Sequence, residues 1–177
     1  GVSEGRSTRD LVPISQVAHE YYDRVQQLYD NRGTVVGVPT GFQDLDKLLG
    51  GMQKSDLIVV AGRPGKGKSA FMVSVALNAA RTHNQRVALF SLEMSNEQVM
   101  QRMVAQDSHI DSHKLRMGEL EDEQMDRFIH SVNLLSDVGV YLDDTPSISA
   151  MQLRSKSRRL AAEIKLDLII VDYLQLM

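Results

Sequence analysis

The residues Gly62-Arg63-Pro64-Gly65-Lys66-Gly67-Lys68-Ser69 carry the pattern G-x-x-x-x-G-K-[ST], followed by helix-forming Ala70, Phe71 and Met72. That spacing suits the binding of a triphosphate. Its glycines let the backbone curl until several N–H groups face one anion, and a helix starting behind them adds its positive end. Lys68 is placed to bridge phosphates as a point charge, and the Ser69 hydroxyl to ligate Mg²⁺. Gly62, Arg63, Pro64, Gly65, Lys66, Gly67, Lys68, Ser69 and Ala70 are therefore the expected nucleotide contacts. Arg63 and Lys66 read as solvated cations at the rim. A glycine-rich strand-to-helix turn without a ligand is the plainer alternative.

Such a loop needs a carboxylate to hold the metal, and Leu168-Ile169-Ile170-Val171-Asp172 supplies one after four apolar residues. An acid at the C-terminal edge of a parallel strand stands where such sheets bind ligands. The alternative for Asp172 is a core-edge charge paired with a lysine. Val87-Ala88-Leu89-Phe90-Ser91-Leu92-Glu93 ends likewise in an acid. Glu93 is the candidate general base for an attacking water, or else an acid ahead of the next helix. Catalytic roles are thus expected of Glu93 and Lys68, and metal ligation of Ser69 and Asp172.

Other candidates read as structure. His109 and His113 stand four apart without a third ligand. Met94, Met100 and Met103 read as core, and Glu121-Asp122-Glu123 as a helix first turn. Arg154, Lys156, Arg158 and Arg159 share a helix capped by Ser149 and read as a solvated face, although phosphates could touch it. Asp143 and Asp144 either shape the site or make a turn.

The elements that must position these groups alternate along the chain. A helix is expected over 14–29, from Ile14, Val17, Tyr21, Val25 and Leu28 at spacings of three and four. Loop and short helix follow over 34–51. Strands are expected at 56–61, 86–91, 138–143 and 167–173, and helices at 68–82, within 96–107, at 121–136 and at 150–165. Continuous apolar strands fit a parallel sheet covered by helices on both faces. The fold class is α/β, doubly wound. Residues 1–33 read as a lead-in (over 1–12) with a linker helix, and 34–177 as one partial domain. The chain stops right after its last expected strand, which suggests a piece of a longer protein.

The 177 residues are 42% hydrophobic and 24% charged, with 20 Lys+Arg against 23 Asp+Glu and a net charge of −3. This near-average composition excludes collagen, disordered tails and disulfide scaffolds. No run approaches the roughly 18 apolar residues of a membrane span. The absence of cysteine excludes thiolate metal sites and makes a reducing, cytoplasmic setting the default. The slightly acidic balance and 5% aromatic content argue against nucleic-acid binding by bulk charge or broad stacking.

Three blocks together resemble the bacterial replicative DNA helicases of the DnaB family. They are Thr40-Gly41-Phe42-Gln43-Asp44-Leu45-Asp46-Lys47-Leu48-Leu49-Gly50-Gly51, Ser91-Leu92-Glu93-Met94, and Asp172-Tyr173-Leu174-Gln175-Leu176. The resemblance spans about 14–177 and implies a RecA-like P-loop core. It further implies ATP and Mg²⁺ as cofactors, a homohexameric ring docked through the linker helix, translocation on single-stranded or forked DNA, and contacts with primase and a helicase loader. No membrane is implied. Lys66 departs from the methionine usual in the family. The arginine finger, the glutamine that senses γ-phosphate and the DNA-gripping loops would lie outside this chain. Alternatives are a RecA- or RadA-like recombination or repair ATPase and, for the isolated fragment, a nucleotide-binding and oligomerisation module without turnover.

Overall fold

The computed structural model describes residues 11–173. The expected lead-in over 1–10 and the block residues Leu174, Gln175 and Leu176 lie outside the described residues; Leu11 and Val12 are exposed. The order is α1 (Ile14–Asp30), α2 (Gln43–Leu49), α3 (Lys68–Leu77) with a π-helical turn (Asn78–Thr82), β1 (Val87–Ser91), α4 (Asn96–Ser108), α5 (Ser112–Met117), α6 (Asp122–Ser136), β2 (Val140–Asp143), α7 (Ala150–Glu163) and β3 (Leu168–Asp172).

Three strands form one parallel sheet in the order β2-β1-β3. Every residue of β1 is buried, as befits the central strand. Its alternation divides the core. Val87 and Leu89 face a cluster with Met72, Val73, Ala76 and Leu77 of α3, Val99 and Met103 of α4, and Leu135 of α6. Ala88 and Phe90 face Ile148, with Leu153 and Leu160 of α7 packed alongside. Helices thus cover both faces, as the apolar runs require. Met94 and Met103 are buried and Met100 packs against them, so the methionines are core.

Capping chemistry sets the helix starts. Ser95 with Gln98 and Ser149 with Gln152 form reciprocal capping boxes, in which hydroxyl and amide oxygens satisfy otherwise orphaned N–H groups. Ahead of α6 the Glu121 N–H donates to the Gln124 side-chain oxygen at 3.1 Å, so the acidic run there is a helix start. The short helix α5, held by the Asp111 carboxylate at its first turn, is an addition to the expected elements.

One expected strand is absent. Residues 56–61 form no strand: Leu57 is 88% and Val59 70% exposed. A parallel strand exists only through the ladder on its flank. Beyond the edge of β3 no further strand runs among the described residues, and the apolar run ahead of the glycine-rich loop has nothing to pair with. The sheet of the described residues therefore has three strands where four were expected.

What seats α3 is a polar knot in the block preceding that loop. The Asp46 carboxylate, 6% exposed, accepts from the Thr40 N–H and hydroxyl (both 2.7 Å) and from the Gly41 N–H (3.0 Å). The Asn78 amide donates to the Thr40 carbonyl at 3.0 Å, and Phe42 stacks on Phe71 with centroids 5.2 Å apart. Gly41 sits at φ +86°, and a Cβ there would collide with the Asn78 side-chain amide. The loop 40–46 is thereby clamped along α3. Replacing Asp46 by Ala strands three donors, two of them on buried Thr40, and is expected to destabilise the protein by about 2–4 kcal/mol. A lower midpoint in urea unfolding, with Asp46→Asn falling between, checks this.

Candidate functional site

The glycine-rich loop bends through left-handed backbone at Gly65 (φ 73°) and Gly67 (φ 86°), where a side chain would be strained. Lys66 N–H closes a turn onto the Arg63 carbonyl at 3.2 Å. Gly67 is the residue before the first turn of α3. Among the described residues, no protein acceptor takes the N–H groups of Gly67, Lys68, Ser69 or Ala70. A short row of free donors thus stands at the positive end of a helix. Arg63 and Lys66 are exposed at the rim, as expected of solvated cations.

At the other end of the site, parallel pairing puts Ser91 of β1 opposite Asp172 of β3, and the Leu92 N–H donates to the Asp172 carbonyl at 2.7 Å. The Asp172 side chain is 3% exposed, and the Ser69 hydroxyl donates to its Oδ2 at 3.0 Å. The lysine-paired alternative for Asp172 is absent among the described residues: its partner is the loop serine. A hydroxyl beside a carboxylate is a hard-oxygen donor pair of the kind Mg²⁺ takes, and the free amides suit phosphate oxygens. The residues present fit both groups.

Glu93 lies two residues beyond Ser91 at the same sheet edge, exposed, with no ion pair or hydrogen bond among the described residues. The start of α4 is capped by Ser95 and Gln98, so Glu93 is not needed there. Lys68 carries a contact the sequence reading missed. Its ammonium lies 4.2 Å from the centroid of the Tyr173 ring. The aromatic residue next to the metal-ligand candidate was the available signal.

Several other charged groups are occupied elsewhere. The Asp144 carboxylate accepts from the Asn96 N–H at 2.8 Å, at the start of α4. Lys156 donates to Asp143 at 2.6 Å and to the Thr145 hydroxyl at 2.9 Å, which removes Lys156 from the expected basic face. Arg154, Arg158 and Arg159 remain exposed. Among the described residues no cluster of His, Asp and Glu could hold a metal, so His109 and His113 make no such site. No described helix is long and apolar enough to cross a membrane.

The fold is that of an α/β domain with a parallel sheet between two layers of helices. A solved structure described as an "ATPase Domain" superimposes with a TM-score of 0.86 at 24% identity, covering 94% of this chain and 59% of that one. A structure described as "The Structure Of A DnaB-Like Replicative Helicase And Its Interactions With Primase" gives 0.80 at 24% identity, covering 94% and 40%. In sequence, the model of the DnaB-like helicase C terminal domain matches residues 37–177, and the chain belongs to that family. Relatives include the replicative DNA helicase DnaC of Bacillus subtilis (strain 168), 41% identical across 99% of this chain and 38% of its own length. The replicative DNA helicase DnaB of Nostoc sp. (strain PCC 7120 / SAG 25.82 / UTEX 2576) is 43% identical across 100% of this chain and 20% of its own. The chain thus spans well under half the length of these relatives.

The Asp143–Lys156 pair gives a pH signature. Burial alone would raise the Asp143 carboxyl, but the hydrogen bonds from Lys156 and Thr145, with the Lys156 charge, outweigh it and hold it below its ordinary 3.8. A depressed folded-state value contributes stability above the unfolded one and loses it as pH falls through the folded one. Lys156→Met is expected to cost about 0.5–1 kcal/mol at neutral pH, the pair being partly screened. Urea unfolding of both proteins should show that difference shrinking only below about pH 4.

Proposed function

We propose that this chain is the nucleotide-binding part of an ATP-dependent replicative DNA helicase. The observation that carries the reading is the 3.0 Å contact from the Ser69 hydroxyl to Asp172, which joins the glycine-rich loop to the acid of a distant strand. The free N–H groups from Gly67 to Ala70 bind phosphate oxygens, with Gly62, Arg63, Pro64, Gly65 and Lys66 forming the rest of the loop. Lys68 neutralises phosphate charge. Ser69 and Asp172 hold Mg²⁺, which when bound with ATP draws charge off the phosphates. Glu93 orients a water at the sheet edge and accepts its proton.

The track in this reading is single-stranded or forked DNA and the compartment the cytoplasm, supported by relatives named replicative DNA helicases. Primase and a loader are partners on the same family grounds. Helix α1 supports assembly into a homohexameric ring. It has no buried residue, and Ile14, Val17, Tyr21 and Val25 leave an apolar stripe exposed for a neighbouring subunit. On its own the chain binds nucleotide with little turnover, because a charge-stabilising arginine comes from outside it.

In the full-length protein, Lys68→Ala is expected to abolish unwinding of a forked duplex, with ATP hydrolysis lowered by about 10³ or more. Unwinding at the parental rate would remove the reading. Glu93→Gln separates binding from chemistry. It should leave nucleotide affinity intact while turnover drops about 10²–10⁴-fold, seen by pairing equilibrium binding with a phosphate-release assay.

A further inference from the structure

The first two residues of α3 meet the last residue of β3 and the residue that follows it. Ser69 meets Asp172, and Lys68 meets Tyr173, its ammonium 4.2 Å from the ring centroid. Lys68 and the buried Asp172 carboxylate, opposite in charge, each belong to one of these two adjacent contacts, yet they form no ion pair with each other. In the absence of another attraction, a flexible lysine would fall onto such a carboxylate, and each would neutralise the other. The face of an aromatic ring supplies the competing attraction, since its electron-rich centre draws an ammonium.

We propose that Tyr173 is a positioning residue that holds the Lys68 ammonium on its ring face. Lys68 then stays available to phosphate, and Asp172 to the metal. The inference rests on the nucleotide-binding reading given above, and names a determinant of affinity within that site. Tyr173 acts through Lys68 alone and touches no reacting atom. What the ring contributes is order: a lysine side chain samples many rotamers, and one already held near the loop loses less freedom when phosphate arrives.

The contact is tested first without nucleotide. In the full-length protein, NMR should show the Lys68 side-chain methylene protons moved upfield by the ring current in wild type and in Tyr173→Phe, but not in Tyr173→Leu. Next, titration with a fluorescent ATP analogue and Mg²⁺ should show Tyr173→Leu binding about three- to thirtyfold more weakly, the span of weak to desolvated cation–π contacts. Tyr173→Phe, which keeps the ring, should match wild type. In a Lys68→Met background, Tyr173→Leu should change affinity no further, whereas a general loosening of the fold would weaken binding in both backgrounds. Equal affinity of wild type and Tyr173→Leu, or an equal loss with and without Lys68, overturns the positioning role. Failure of wild type to bind the analogue overturns the nucleotide reading itself, and is distinct from either result.

Discussion

One hydrogen bond gathers most of what this domain needs. For the Ser69 hydroxyl to reach Asp172, α3 must begin where the glycine-rich loop releases it, and β3 must lie in register beside β1. Neither condition is local. The first depends on the knot of Thr40, Asp46 and Asn78 and on the Phe42–Phe71 stack, which seat α3 from the side of its preceding loop. The second depends on the two-faced packing of β1, with α3, α4 and α6 against Val87 and Leu89 and α7 against Ala88 and Phe90. Shear in either layer would part a hydroxyl and a carboxylate that meet within 3.0 Å.

Electrostatics then sort the acids at the C-terminal edge of the sheet. Asp143 is consumed by Lys156, and Asp144 by the first turn of α4. Asp172 keeps a serine as its only side-chain partner among the described residues, and Glu93 keeps none. Two acids are thus spent on architecture, while Asp172 meets the loop serine and Glu93 stays unpaired among the described residues. The difference follows from what each strand end faces: β2 ends beside the basic helix α7, and β3 ends beside the start of α3.

Much of this was legible in the residues. The loop pattern, the four-residue apolar run before Asp172, and Ser149 at the start of α7 each act through near neighbours, so spacing alone reveals them. The misses share a cause. Residues 57–60 are as apolar as β3, but a strand is a relation between segments, and a single segment does not disclose its flank. The salt bridge of Lys156, the buried role of Asp46 and the perch of Lys68 on Tyr173 are likewise tertiary facts. Asp46 was legible only as part of a family block; its three hydrogen bonds supply the physical reason for that block.

The open flank of β3 and the bare run Leu57-Ile58-Val59-Val60 bear on behaviour at high concentration. Among the described residues both leave backbone donors and acceptors without ladder partners, and the run adds adhesive side chains beside them. Exposed edges of this kind recruit strands from other molecules, giving intermolecular sheets and precipitates instead of defined assemblies. For the described residues taken alone, lysine or proline placed along the run would act as a gatekeeper against such association.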